Sequence, residues 1–344
     1  MYSKLVIFDG NAIMYRAFFA IPVLNSKSGV QINALYGLVS MLINIVENLK
    51  PTHIIFTFDE KERTFRQDLL PTYQSQRPET PSELIPQFKM AREFLKSVNI
   101  PVYSKSGFEA DDVIGTLCTK ITNTKSQITE TIVVTGDRDI LQLVDDSKNI
   151  KLFMPIGGLA NGKIFTEKET VERMGVLPNQ IPDYKALVGD PSDNYFGITG
   201  IGPKTASTLL AKYKTLDNIY EHIDDVAEKL REKLINGKES AYLSYKLATI
   251  VRDVPVEFDI ESADIWDLVS ENVLKLFEDY GFKTLTARIK KLGEQIEKDK
   301  QVKSKELQRQ GSRKSRSQSS THHAFQRKII FHHTKYIINK HRQQ

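Results

Sequence analysis

The 344-residue sequence contains one cysteine, Cys118, and one tryptophan, Trp266. A single thiol excludes an intramolecular disulfide and any thiolate cluster around a metal. Ile114, Leu117 and Ile121 surround Cys118 at helical spacing, so it reads as a small buried hydrophobe. No apolar run approaches the roughly 20 residues of a membrane-spanning helix. The opening Met1-Tyr-Ser-Lys-Leu-Val-Ile-Phe-Asp9 lacks the basic start and small-residue cleavage site of a secretory leader. These absences predict a cytoplasmic protein with no membrane partner. Also missing is a general excess of basic charge. Residues 300–344 hold 12 of the 48 Lys and Arg and a single acid, Glu306. The rest keeps 36 basic and 42 acidic side chains, a net charge of −6. A protein that binds nucleic acid with its whole surface would be basic. Here the acids need a local explanation.

What is present is an alternation of strand-like and helical patterns. Leu5–Phe8, Ile54–Phe58 and Thr131–Val134 are short apolar runs rich in β-branched and aromatic residues, read as strands. Between them Ala34–Leu49, Pro86–Val98 and Asp111–Ile121 carry apolar residues at helical spacing. The alternation predicts an α/β fold, a mostly parallel central sheet flanked by helices, over residues 1–165. Residues 60–85 are polar and basic and broken by Pro71, Pro78 and Pro81, which suggests a long mobile connection. Residues 166–295 read as a helical part with glycine-rich punctuation at 197–202. Residues 296–344 form a basic, low-complexity tail, expected to be disordered.

The acids fall where the strands stop. Asp9 ends the first run, Asp59 the second, and Asp137 and Asp139 follow the third. In open parallel sheets the ligand crevice lies beyond the carboxyl ends of the strands, so these side chains should converge. Glu109, Asp111 and Asp112 open a helix, and Asp190 and Asp193 sit at a helix-to-loop junction. Any one of them would pass for a turn former or an N-cap. Nine like charges in one crevice would repel strongly unless cations separate them. Oxygen ligands without cysteine or paired histidine select a hard ion, Mg²⁺ or Mn²⁺. Two such ions about 4 Å apart suit in-line displacement on a phosphate.

Several stretches taken together resemble the 5′-nuclease (flap endonuclease) family, specifically 5′→3′ exonuclease domains. They are Phe8-Asp-Gly-Asn11 with Tyr15-Arg-Ala17, Thr64-Phe-Arg66, Glu109–Leu117, Thr135-Gly-Asp-Arg-Asp139, Gly189-Asp-Pro-Ser-Asp-Asn194, Gly197–Ala206 and Ala241–Thr249. The resemblance covers roughly residues 1–290. It implies a PIN-like nuclease fold with a helix–turn–helix-like DNA-binding part, acting on duplex DNA with a 5′ end or flap in primer removal and repair. Asp9, Asp59, Glu109, Asp111 and Asp112 match acids that hold one ion. Asp137, Asp139, Asp190 and Asp193 match those around a second. Asp9, Asp59, Asp111 and Asp137, with Arg77, would carry catalysis. Residues 60–85 match a helical arch that threads a single-stranded 5′ end. Tyr15, Arg16, Arg66, Tyr73 and Arg77 match substrate contacts, Tyr15 as a stacking platform for a base, though a tyrosine packed on a helix would look the same. The arch departs at one place: Tyr73-Gln-Ser-Gln-Arg77 has Gln74 where the family usually has lysine, leaving Lys61, Arg63 or Arg66 to compensate.

Gly197-Ile-Thr-Gly-Ile-Gly202 leads into an apolar helix pattern. Pro203 interrupts the Gly-Lys-Thr contiguity of a nucleotide-binding P-loop and no strand precedes it, so nucleotide binding is rejected. Backbone N–H groups at a helix start hold phosphate without reading sequence. The segment resembles the helix–turn–helix-like element by which the family grips duplex phosphates, which implies contacts at Gly200, Gly202, Lys204 and Thr205 and a K⁺ site at this turn. Within the 344 residues no polymerase pattern follows the nuclease match. The expectation is a monomer that works beside a separate DNA polymerase. An aspartyl-phosphate phosphatase, suggested by Ile7-Phe-Asp9, would need an acid where Asn11 stands.

Overall fold

The computed structural model describes residues 3–123, 127–156, 158, 161–296 and 298. Residues 3–287 belong to one compact unit, and the described residues from Arg288 onward, which belong to a second, are helical. Residues 299–344, most of the expected tail, lie outside the described residues.

Six strands make the central sheet: β1 (Lys4–Asp9), β2 (His53–Thr57), β3 (Val102–Tyr103), β4 (Glu130–Val134), β5 (Ile150–Pro155) and β6 (Gly162–Phe165). Their order is β3-β2-β1-β4-β5-β6, parallel throughout except for β6. The predicted mostly parallel sheet is what forms. Strand β1 reads Leu-Val-Ile-Phe without alternation because it is central and covered on both faces. Its Phe8 lies opposite Phe56 of β2 and Val134 of β4, and the Phe8 and Phe56 rings stack at 4.4 Å. Connections run from β1 outward to β2 on one side and from β4 outward to β5 on the other. The direction of winding therefore reverses between β1 and β4, where crevices form at the carboxyl ends of strands.

Helices α1 (Gly10–Ala20), α2 (Asn33–Leu49), α3 (Phe65–Leu69), α4 (Ile85–Ser97) and α5 (Ala110–Asn123) belong to this half. Helix α5 turns Val113, Ile114, Leu117, Cys118 and Ile121 into the core, as its periodicity required. The segment 60–85 is less free than its prolines suggested. It contains α3 and a run of turns over 71–77, and it is tied to the loop at 190–195. Asn194 donates to the Thr72 carbonyl at 2.8 Å, and the Gln74 amide donates to the Asp193 carbonyl at 2.9 Å.

The remaining helices are α6 (Glu167–Met174), α7 (Ile181–Val188), α8 (Pro203–Tyr213), α9 (Leu216–Glu221), α10 (Glu228–Asn236), α11 (Lys238–Ala248) and α12 (Glu271–Tyr280). A short hairpin of β7 (Gly189–Asp190) and β8 (Tyr195–Phe196) joins α7 to the glycine-rich turn. Glycine is required at its base. Gly189 has φ +76°, and a Cβ on it would stand 2.4 Å from the Gly197 nitrogen. Leu187, Leu209 and Leu210 share one buried cluster with Leu5, Val133 and Leu152 of the sheet. Among the described residues, no helix is long and apolar enough to cross a membrane.

Candidate metal-binding nuclease site

Beyond the carboxyl ends of β1, β2 and β4 lies an open cleft of about 430 Å³. Asp9, Asp59, Glu109, Asp111, Asp137, Asp139 and Asp193 all line it, with Tyr15, Lys61, Tyr73, Gln74 and Arg77. Sheet topology brings Asp9, Asp59 and Asp137 together, and the start of α5 adds Glu109 and Asp111. The sixth and seventh arrive on the short helix after β4 and on the β7–β8 hairpin.

Asp9 is both cap and site residue. One oxygen accepts from the Ala12 amide at 3.0 Å as the N-cap of α1, and the other accepts from the Thr135 hydroxyl at 2.6 Å. Each oxygen keeps a lone pair for a further partner. Burial pushes its pKa up to about 7, against the pull of those two donors. Glu109 also rises to about 7, through burial that the Arg66 charge only partly offsets. Asp59 faces the open cleft and accepts from the Ala110 amide at 2.7 Å, yet the crowding protein raises its pKa too. Asp111 is the extreme case. Burial, then the charges of Asp137, Asp9, Glu109 and Asp59, hold its pKa well above the carboxylate range. No hydrogen bond reaches its carboxylate from any described residue. Such a group is tolerable when it is protonated or when cations neutralise the cluster.

A second group of acids lies alongside. Asp139, Asp190 and Asp193 each present an oxygen within 4.8 Å of the others. Lys185 of α7, buried, donates to Asp139 and, at 2.5 Å, to Asp190. Burial still lifts Asp139 to about 6, while Lys185 and Ser192 outweigh burial at Asp190 and hold it low. Asp193 pairs with Arg77 at 2.5 Å, and the Tyr73 hydroxyl donates at 3.4 Å to both Asp193 and Glu109. Tyr73 in turn stacks on Tyr195 with ring centroids 6.3 Å apart. The donors in both groups are hard oxygens, as Mg²⁺ or Mn²⁺ requires, so these residues fit such ions.

Three expected roles are corrected. The resemblance gives Asp112 to an ion and Arg66 to substrate, but the two hold one another inside the core. Successive helix residues point about 100° apart, so Asp111 faces the cleft while Asp112 turns inward. Arg66 donates to its two oxygens at 2.6 and 2.8 Å. The Val251 and Glu109 amides take the remaining lone pairs at 2.9 and 3.1 Å. Arg66 spends its other donors on the Leu247 and Thr249 carbonyls and on Glu109 at 3.4 Å. It therefore positions Glu109 and is not open to DNA. Tyr73, 5% exposed, is likewise packed and does not offer its ring to a base.

The other expected contacts are placed as follows. Tyr15 lines the cleft half-buried, its hydroxyl 2.5 Å from Thr80 of the arch segment. Arg16 lies beside Gly136, its Nε without a partner among the described residues. Gly200, Gly202, Lys204 and Thr205 lie outside the acidic cleft. They form the turn and first residues of α8, with Gly200 at φ +79° and Lys204 exposed. Lys185 and Tyr195 were missed by sequence reasoning. Lys185 has the look of a solvent-facing helical lysine, and Tyr195 of an ordinary strand residue. The signal was proximity to Asp190 and Asp193.

Comparison with known proteins agrees with this geometry. Residues 4–175 match the family model for the 5′-3′ exonuclease N-terminal resolvase-like domain, and residues 176–270 that for the 5′-3′ exonuclease C-terminal SAM fold. DNA polymerase I of Caldicellulosiruptor bescii is 40% identical over 286 residues, which cover 83% of this chain and 33% of that protein. DNA polymerase I of Bacillus subtilis is 37% identical over 301 residues, covering 87% and 34%. The chain thus spans about a third of the length of the curated relatives it matches. Among solved structures, the T5 D15 protein co-crystallised with metal ions superposes with a TM-score of 0.57 at 19% identity, covering 85% of this chain and 98% of that one. The catalytic core of Rad2 in complex with DNA substrate gives 0.53 at 16%, covering 81% and 86%. These last two likenesses concern the fold. With both family models matched in order, the chain belongs to the 5′-3′ exonuclease family.

Proposed function

We propose that this chain is a metal-dependent 5′→3′ exonuclease and 5′-flap endonuclease that hydrolyses DNA phosphodiester bonds in primer removal and repair. The observation that carries the reading is Asp111. Its carboxylate sits among Asp9, Asp59, Glu109 and Asp137, with no hydrogen-bond donor of its own. A DNA-binding module gains nothing from such a cluster, whereas phosphoryl chemistry needs it. Two Mg²⁺ or Mn²⁺ ions bound there would lower the pKa of a water nucleophile and offset charge on the leaving oxygen.

The chain's own residues supply the rest. Asp9, Asp59, Glu109 and Asp111 form one set of ligands, and Asp137, Asp139, Asp190 and Asp193 the other. Arg77 stands at the cleft edge, half-exposed, where it can pass from Asp193 to a phosphate oxygen. Tyr15 and the arch segment 60–85 receive the 5′ strand. Gly200, Gly202, Lys204 and Thr205 grip duplex phosphates, with K⁺ at the same turn. Residues 1–165 serve as the catalytic part, 166–295 as the duplex-binding part, and 296–344 as a basic tail. In this reading the protein works as a cytoplasmic monomer on duplex DNA with a 5′ end or flap.

The test is a 5′-labelled flap duplex incubated with the protein, with and without Mg²⁺, and sizing of the products. A flap released as one fragment, and only with the ion, supports the reading. Cleavage that survives chelation would overturn it.

A further inference from the structure

Tyr195 is 2% exposed, and its hydroxyl has no hydrogen-bond partner among the described residues. Leaving a buried hydroxyl without a partner is costly, so such a group in a folded core calls for an explanation. Its position narrows the choice. Tyr195 lies directly opposite Asp190 across the β7–β8 hairpin. Its ring stacks on Tyr73, whose own hydroxyl reaches Asp193 at 3.4 Å. The Tyr195 side chain thus flanks the group formed by Asp139, Asp190 and Asp193. The two cations of that group are Lys185, committed to Asp139 and Asp190, and Arg77, paired with Asp193, and both have only protons to offer. No carboxylate oxygen is within hydrogen-bond reach of the Tyr195 hydroxyl. A polar separation beyond about 3.5 Å is commonly bridged by one water.

We propose that Tyr195 is a positioning residue for a divalent cation held by Asp139, Asp190 and Asp193, its hydroxyl donating to a water bound by that cation. This rests on the metal-dependent reading above and adds a residue to it. A neutral phenol suits the task. It turns the water's lone pairs without adding charge to a crowded acidic site, and stacking on Tyr73 fixes its direction. Partners that orient metal-bound groups in this way contribute about 10- to 100-fold to affinity or activity.

The experiment compares the full chain with Tyr195→Phe, which keeps the ring on Tyr73. Mn²⁺ is titrated into each protein and the free ion read by electron paramagnetic resonance. The expected result is about a tenfold loss of affinity at one of two sites, with the other unchanged. The Mg²⁺ concentration for half-maximal cleavage should rise in parallel, with kcat restored at saturating Mg²⁺. In chelator, Tyr195→Phe should melt at or above the wild-type temperature, because the hydroxyl it lacks has no protein partner. Wild-type affinity at both sites, or a lowered melting temperature in chelator, overturns the inference. A wild-type chain that binds no Mn²⁺ overturns the metal reading itself, and this inference with it.

Discussion

Arg66 grips Asp112 through both carboxylate oxygens, and neither side chain is open to solvent. The pair ties α3 to α5, while the Leu247 and Thr249 carbonyls tie the same guanidinium to the end of α11. Removing one partner leaves a buried charge without its counter-ion, which costs about 3–5 kcal/mol. Asp112→Ala and Arg66→Met should each lose that much in urea unfolding, and the double variant should lose less than the sum of the two. Single losses below about 1 kcal/mol would mean that the pair does not hold the fold together.

Asp111 is one residue away and behaves differently. Asp111→Ala relieves like-charge repulsion, so the metal-free fold should be unharmed or stabilised. Cleavage should be abolished, and likewise in Asp137→Ala. Binding of a flap duplex should persist within about one order of magnitude, because phosphate contacts away from the acids supply most of the affinity. Gel-shift and single-turnover assays on the same preparations separate the two effects. Lost binding with normal turnover per bound complex would contradict the assigned roles.

The contrast between positions 111 and 112 marks where the sequence stops being informative. Strands β1, β2 and β4 were legible because their apolar runs are unbroken and each is followed by acid. Strand β5 was not, since Lys151 interrupts its run, and β6 is only four residues long with an exposed start. That acids would gather followed from parallel topology. Which of two adjacent acids would face the cleft depended on the phase of α5, and the fate of Arg66 depended on carbonyls some 180 residues away. Such long-range pairings leave no local pattern. The arch segment looked mobile because its prolines are visible in sequence, whereas its bonds to Asp193 and Asn194 are not.

Stability without metal should depend on pH in the reverse of the usual direction for acids. Burial holds Asp9 and Glu109 near 7 and Asp139 near 6, all above the value of about 4 for an unfolded carboxylate. Between those limits the folded chain binds more protons than the unfolded one, so its stability falls as pH rises. Asp190 and Asp145 are held low, and their opposite contribution lies at more acid pH. Thermal melts in chelator should drop by roughly 5 °C or more between pH 5.5 and 8. Added Mg²⁺ should restore the loss at pH 8, where the carboxylates are free to bind it. A melting temperature that rises with pH in chelator would show that the acids are not crowded.

Lys185 offers a second handle on the same balance. Its ammonium neutralises Asp139 and Asp190 within the core. Lys185→Met preserves the volume of the stem and removes the charge, so the metal-free protein should lose stability. The loss should shrink in Mg²⁺, because bound cations take over the neutralisation. Equal losses in chelator and in Mg²⁺ would place Lys185 in packing alone.

Gln74 tests whether the cleft is short of positive charge. Three cations line it: Arg66 is consumed by Asp112, Arg77 is paired with Asp193, and Lys61 has no bond to any described residue. Gln74 also lines the cleft and is neutral, at φ 56° in a turn that lysine tolerates no worse than glutamine. Gln74→Lys adds an ammonium where charge develops on a phosphate, at little conformational cost. Single-turnover cleavage should speed up by about tenfold at low salt, with melting temperature unchanged. Combined with Lys61→Ala, the added lysine should recover what Lys61→Ala loses. An unchanged rate in Gln74→Lys would show that Lys61 and Arg77 already saturate the need for charge, and that this cleft is organised around residue 61 instead.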